Sequence, residues 1–311
     1  MNGSQWSTRV AVIGGGGLMG HTLVLQALLG GADEVTLMSR HRESVDHGFA
    51  LVTDGPFGLR RAVQRKKLTE EQVEDLLGRL RLTTDYAEAV AHSTVIIESV
   101  PEDIAVKQAV FTEIEKHCAP DALIASNTSS IMIGELAAHA AMPQRFIGTH
   151  WFYPAHVMKL VEVAVADHTS ATSMERTQTL LKDWGKVPIV VADHPGFFMT
   201  RFINGFVAEA IRLVEQGVAR VEDIDTMTKL GLGWPMGLFE LMDSTGSFDA
   251  WFHAQQYLQE TLGDRYAVPP LARKVFLSGF LGNPALKPQS KGGWHDYFHQ
   301  SVSMTRKEGD Q

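Results

Sequence analysis

The chain opens with short apolar runs separated by longer stretches of helical spacing. RVAVIG (9–14) is followed by a glycine cluster and then by the helix-like MGHTLVLQALL. EVTLMS is a second apolar run, and STVIIESV, DALIASN, RFIGTH and KLVEVAVA are further strand candidates, separated by segments such as VKQAVFTEIEKHC. Strands joined by connections of that length pair in parallel, which predicts an α/β fold on a doubly wound sheet. Residues 51–82 are polar and too many for an ordinary strand-to-helix connection. They are expected to hold an inserted pair of helices, because KLTEEQVEDLLGRL starts with a threonine N-cap signal and spaces its leucines helically.

After PIVVADHPGF the period changes. FINGFVAEAIRLVEQG, VEDIDTMTKLGLG and FDAWFHAQQYLQETLG are all spaced as helices. The change falls near Asp193–Pro195, where Pro and Gly punctuate the chain, so the expected domains are 1–193 and an all-helical 194–311. The apolar stripes of these last helices are wide, and a homodimer is expected to bury the surplus face.

Composition narrows the class. A chain of 311 residues is long enough for two ordinary domains, and 44% hydrophobic with 21% charged residues is the balance of a soluble globular protein. No apolar run approaches the roughly 18 residues of a membrane span. The first residues, MNGSQWSTRVAVIG, have no basic segment leading into an apolar one, so no signal peptide is expected. Cys118 is the one cysteine, which excludes an internal disulfide framework and points to a reducing, cytoplasmic setting. A net charge of −8 argues against nucleic acid as a partner. RRAVQRKK at 60–67 is a local exception; it reads equally as a solvated helix face or as a site for an acidic group.

The candidate chemistry starts at Gly15-x-Gly17-x-x-Gly20, between a strand and a helix. In that context Gly15 permits a tight turn, Gly17 lets the backbone approach a diphosphate, and Gly20 allows close packing of helix on strand. The N–H groups of the helix start, at Leu18, Met19 and Gly20, then face an anion. Because Gly14 extends the run to four glycines, the register of the turn is open by one residue. The second strand ends in Ser39-Arg40-His41-Arg42, where NAD-specific sites carry an acidic residue. A carboxylate repels a 2′-phosphate, whereas a hydroxyl and a guanidinium bind it. An NADP preference with Ser39 and Arg40 as contacts, and Arg42 in reserve, is therefore expected over NAD; the alternative is that the arginines merely begin a solvated helix.

Further on, the strand DALIA runs into Ser126–Ser130, a polar cluster at the end where open α/β sheets place ligands. RFIGT leads to His150, and Glu162 stands inside the apolar MKLVEVAV. Hydride exchange at a carbonyl carbon needs a group that gives or takes a proton at the oxygen, and histidine titrates near neutrality. A carboxylate inside an apolar strand is costly without a partner, so Glu162 is paired with His150 as the candidate dyad. His139, His156, His168, His253 and His295 are read as surface or packing residues.

GGGLMG, ESVPED, ASNTSS, GTHWFYPAHVMKLVEV, HPGF, EAIRLVEQGVARVEDID and KLGLGWPMGLFEL, in that order and over nearly the whole chain, resemble the 3-hydroxyacyl-CoA dehydrogenase family. The resemblance implies a Rossmann-type domain with a helical-hairpin insertion, then an all-helical C-terminal dimerisation domain. It implies His150 as general acid/base, Glu162 as its orienting partner, and Ser129 as a contact to substrate and nicotinamide. Glu102, Lys107 and Asn127 match cofactor-lining positions, and Lys66 matches a basic position near the CoA phosphates. The chain departs from the family at HWFYP, where Tyr153 replaces an Asn. It departs again at Thr200, where an Asn usually precedes the Arg, and at Ser39, where an Asp is usual. Tyr153 and Thr200 are thus candidate substrate-side residues that alter orientation, since a hydroxyl lacks the two-sided bonding of an amide. The implied reaction interconverts a 3-hydroxyacyl thioester, on CoA, and its 3-oxoacyl form. Two alternatives are the same chemistry on a carrier-protein-bound or free hydroxy acid, and a dinucleotide-binding protein without turnover.

Overall fold

A computed structural model describes residues 7–300. Residues 1–6, part of the stretch in which no signal peptide is expected, lie outside the described residues. The described chain divides into two compact units between Phe197 and Phe198.

The first unit carries β1 (Arg9–Ile13), β2 (Glu34–Met38), β3 (Leu80–Thr83), β4 (Val95–Glu98), β5 (Leu123–Ser126), β6 (Phe146–Trp151), β7 (Leu160–Val165) and β8 (Val187–Ala192). They form one sheet in the order β3-β2-β1-β4-β5-β6-β7-β8. The first six strands are parallel, and the order reverses between β1 and β4. A crevice for a ligand opens at such a reversal, beyond the carboxyl ends of the strands. Val10, Val12, Val35, Leu37, Val95, Ile97 and Leu123 are buried in the core beside the sheet. Continuous apolar strands of this kind need cover on both faces. Part of that cover is α1 (Gly20–Leu29), which is buried from Gly20 through Leu28.

Two features depart from the expected layout. β3 was not legible as a strand: LRLT alternates polar and apolar residues and occupies the sheet edge, where one face meets solvent. And β7 runs antiparallel to β6, with β8 parallel to β7. Residues 152–159 are too few for a parallel crossover, which takes a dozen or more, so the chain turns straight back.

Between β2 and β3 lie α2 (Arg42–Asp54), the short α3 (Leu59–Gln64) and α4 (Glu70–Gly78). α4 starts as its sequence predicts: Thr69 Oγ1 accepts from the Gln72 N–H at 3.2 Å, and Gln72 Oε1 accepts from the Thr69 N–H at 2.9 Å. α5 (Tyr86–Val90), α6 (Ile104–His117), α7 (Ile133–Leu136) and α8 (Ala171–Asp183) complete the unit. The division at Phe197 lies beyond the expected 193/194 because the PGF turn is tied back to β5's end: the Gly196 N–H donates to the Ser130 carbonyl at 2.7 Å.

The second unit consists of α9 (Met199–Glu215), α10 (Val221–Leu232), α11 (Leu238–Thr245), α12 (Phe248–Leu262) and α13 (Pro270–Leu277), followed by an irregular segment that ends in a helical turn. Its core contains Phe239, Phe248, Trp251, Phe252 and Trp294. Among the described residues no helix is long and apolar enough to cross a membrane.

Candidate active site

The glycine run after β1 does three different jobs. Gly14 takes φ +88°, and a Cβ there would stand 2.4 Å from the Ser99 carbonyl oxygen, so the left-handed turn belongs to Gly14 rather than to Gly15. A Cβ on Gly15 would strike the Leu37 side chain at 2.8 Å, and one on Gly20 the Gly14 oxygen at 2.1 Å, which lets α1 lie close against β1. At Gly17 a Cβ meets only the Gly14 oxygen, at 3.3 Å, so this is the open face of the loop. Among the described residues the N–H groups of Leu18, Met19 and Gly20 have no backbone acceptor. An uncapped helix start over a glycine cradle fits the diphosphate of a dinucleotide.

The cleft beside this loop, about 220 Å³, is lined by Gly16, Gly17, Ser39, Arg40, Tyr86 and Val100, among others. Ser39 is buried, and its hydroxyl oxygen accepts from the Gly16 N–H at 3.0 Å, so it anchors the loop and keeps its own proton to donate. Arg40 is exposed on the cleft wall. Arg42 is turned away, bonded to Asp46 one turn along α2. Tyr86, absent from the sequence-based set, lines the same cleft because the edge strand β3 delivers α5 there.

Beyond β4 and β5 a buried polar cluster organises the loop that holds Ser129. Glu98 Oε1 lies 2.7 Å from Lys107 Nζ, and Glu98 Oε2 accepts from Ser126 Oγ at 2.5 Å. Lys107 Nζ also approaches the Val100 carbonyl and Glu102 Oε2, both at 3.2 Å. Glu102 Oε1 in turn accepts from Thr128 Oγ1 (2.7 Å) and the N–H groups of Ser129 (2.9 Å) and Ser130 (3.0 Å). Lys107 is buried, and Glu102 stands at the exposed edge of the cluster with its carboxyl enclosed by the 128–130 loop; that desolvation opposes charge on each. The Lys107 ammonium, with the hydroxyls and N–H groups of 128–130, outweighs it and holds the Glu102 carboxyl below its usual range. Glu98 and Glu102 likewise hold Lys107 charged, above its ordinary value. Asn127 is fixed at both ends, donating to Ser99 Oγ and accepting from the Trp151 N–H, each at 3.1 Å. Trp151 follows His150, so Asn127 ties β5's end to the neighbour of the imidazole. The sequence reading did not single out Glu98; a glutamate closing the apolar run VIIE was the available signal.

His150 and Glu162 face each other across the antiparallel β6–β7 pair. His150 Nδ1 lies 2.7 Å from Glu162 Oε2, with the residues 7% and 1% exposed. A carboxylate only accepts, so it holds the imidazole proton on Nδ1 and leaves Nε2 as the reactive nitrogen. Phe152 and Phe197 pack on the ring, at centroid distances of 4.6 and 6.2 Å. Phe197 does so from φ 47°, a left-handed conformation rare for a bulky residue. Like Tyr86 and Glu98, it is a member of the site that the sequence reading did not single out.

The other predicted residues are dispersed. Tyr153 is half-buried and packs edge-on against Phe57, 5.8 Å away, and His21, 6.5 Å away; burial raises its phenol's pKa. Lys66 is exposed in the turn after α3, at φ 57°. Thr200 is buried in the first turn of α9, in the second unit.

A doubly wound sheet with a dinucleotide cradle and a buried imidazole–carboxylate pair defines the class of nicotinamide-dependent dehydrogenases. The family model for the 3-hydroxyacyl-CoA dehydrogenase NAD binding domain matches residues 9–194, and that for the family's C-terminal domain matches residues 196–291. The chain belongs to the 3-hydroxyacyl-CoA dehydrogenase family. Among solved structures it is similar to FadB2 of M. tuberculosis, at 33% identity and a TM-score of 0.83 over 91% of this chain and 96% of that one. It is also similar to (S)-3-hydroxybutyryl-CoA dehydrogenase PaaH1 from Ralstonia eutropha, at 31% identity and a TM-score of 0.82 over 89% and 96%. A third is 3-hydroxybutyryl-CoA dehydrogenase from Escherichia coli K12, at 34% identity and a TM-score of 0.81 over 89% of this chain but 58% of that one.

Proposed function

We propose that this chain interconverts a 3-hydroxyacyl thioester carried on CoA and its 3-oxoacyl form. The observation that carries the proposal is the 2.7 Å contact between His150 and Glu162 in a buried cross-strand pair. The nicotinamide supplies the hydride acceptor or donor. His150 Nε2 takes the hydroxyl proton during oxidation and returns it during reduction, while Glu162 favours the imidazolium that forms in between. Ser129, whose hydroxyl and N–H donate to Glu102, offers its hydroxyl oxygen as an acceptor to the substrate hydroxyl and the nicotinamide amide.

For the nucleotide, the glycine cradle and the N–H groups of Leu18, Met19 and Gly20 hold the diphosphate. NADPH is preferred to NADH: no carboxylate stands at Ser39, and Arg40 is free of any ion pair among the described residues. Exposed Arg65, Lys66 and Lys67 support a phosphate-bearing carrier, a description that fits CoA and an acyl carrier protein alike. Tyr153 sets substrate orientation. The exposed Met227, Leu230 and Leu232 of α10 support a homodimer, and the lone Cys118 supports a cytoplasmic setting.

The test is a spectrophotometric comparison of acetoacetyl-CoA, the same acyl group on a carrier protein, and the free 3-oxo acid, each with NADPH and with NADH. Turnover of the CoA thioester is expected. Nucleotide binding without turnover of any of the three would overturn the reading in favour of a binding protein.

A further inference from the structure

The helical unit contains a charged cluster that the reaction does not use. His295, expected from sequence to be a surface or packing residue, lies between two carboxylates. Its Nδ1 is 2.7 Å from Asp243 Oδ2 and its Nε2 is 2.9 Å from Asp225 Oδ2. Asp243 belongs to α11 and Asp225 to α10, whereas His295 belongs to the segment that returns after α13. We infer that the His295 imidazolium is a protonation-dependent clasp that fastens this returning segment onto α10 and α11.

The two carboxylates flanking the ring favour it. A neutral imidazole has one N–H and one lone pair, so it satisfies one carboxylate and turns its lone pair toward the other. Only the imidazolium is attracted by both: Nδ1 bonds Asp243, and the charge at Nε2 lies at ion-pair distance from Asp225 Oδ2, which has no hydrogen-bond partner among the described residues. Asp225 has little alternative: it is 2% exposed, and its other oxygen already accepts from the Phe239 N–H at 2.7 Å, at the start of α11. Asp243 is similarly committed, accepting the N–H groups of Trp294 at 2.7 Å and His295 at 3.1 Å.

The segment is shaped for this contact. A Cβ on Gly293 would stand 2.1 Å from Asp243, so only glycine lets the backbone lie against that carboxylate. Trp294 is then fully buried against Phe239 and Phe248, at centroid distances of 5.2 and 4.9 Å. The clasp therefore controls the docking of a core tryptophan.

The surrounding charges favour the imidazolium. From α10 come Asp225, Glu222 and Lys229; from α11, Asp243 and Glu240; from the segment itself, Asp296. Lys229 is taken by Glu240 at 2.5 Å, and Asp296 accepts from the Gly293 N–H at 2.9 Å. Burial lowers the His295 pKa, but Asp243, Asp225 and Glu222 outweigh it and raise the value above 6.5. Burial raises the Asp225 carboxyl as well, so the charge on Asp225 relies on the cation beside it. The two shifts bound the clasp from opposite sides: it needs Asp225 ionised at the acid end, and it opens as pH rises above 6.5 through the raised value of the folded histidine.

The test uses the full chain. An NMR titration of the His295 ring is expected to give a pKa above 6.5. Hydrogen exchange, corrected for intrinsic rates, is expected to show protection of 293–298 falling by up to about tenfold per pH unit between the ordinary and the raised value. In His295→Gln, which keeps one bond at every pH, that protection should be lower and flat with pH. A ring titrating at or below 6.5 overturns the inference, and that measurement needs no variant to fold. A wild-type protection profile with the same pH dependence as that of His295→Gln overturns it too.

Discussion

Lys107 Nζ lies 2.7 Å from Glu98 Oε1 where neither side chain reaches solvent, the residues being 1% and 0% exposed. Lys107→Met leaves the Glu98 charge buried without its counter-ion. The expected loss in urea unfolding of the first unit is about 3–5 kcal/mol, the cost of breaking a buried pair from one side. A loss under about 1 kcal/mol, typical of an exposed pair, would show that water reaches Glu98 in the folded chain.

Glu162→Gln replaces an acceptor with a group that can also donate to Nδ1, so the imidazole loses both its fixed tautomer and its counter-charge. Turnover should fall on the order of a hundredfold or more, with the nucleotide dissociation constant unchanged. His150→Gln should abolish turnover and likewise spare nucleotide binding. Full activity in either variant would refute the dyad.

Ser39→Asp retains an acceptor for the Gly16 N–H, so the glycine loop should keep its shape while the new carboxylate opposes a 2′-phosphate. The ratio of kcat/KM for NADPH over NADH should drop by about tenfold or more, equivalent to about 1.4 kcal/mol of discrimination. An unchanged ratio would move recognition of that phosphate away from the end of β2.

His156 gives acid sensitivity of the opposite sign to the His295 clasp. Burial first, then the positive charges of Lys186, His21 and Lys67, bring its pKa down from 6.5 to about 4, and its Nδ1 is buried without a hydrogen-bond partner. The folded state holds the ring neutral while the unfolded chain accepts a proton, so stability is lost as pH falls from 6.5 toward 4. The urea midpoints at neutral and mildly acidic pH should lie closer together in His156→Gln than in the wild type. Equal acid losses in both would assign the sensitivity to another group.

What sequence reasoning could reach depended on whether the signal was local. The glycine fingerprint, the Thr69 cap and the period change at the PGF turn each lie within a few residues and were legible. The role of Gly14 was not, because its φ is set by the Ser99 carbonyl arriving from another strand. β3 escaped because an edge strand needs no continuous apolar run, and the reversal at β7 because β7 itself reads like its parallel neighbours. His295 was misjudged for a related reason. Its partners Asp225 and Asp243 are remote in sequence, and only folding of the returning segment brings the three together.

The short connection between β6 and β7 puts proton transfer under the control of strand registry. Side chains alternate faces along a strand, so slipping β7 by one residue would set Val161 or Val163 opposite the imidazole and turn Glu162 to the far side. A molecule mis-zipped at this hairpin would keep its glycine cradle at the end of β1 and still load nucleotide. Imperfect folding would therefore register as a smaller fraction of working molecules, each of full potency, rather than as a uniformly weakened population.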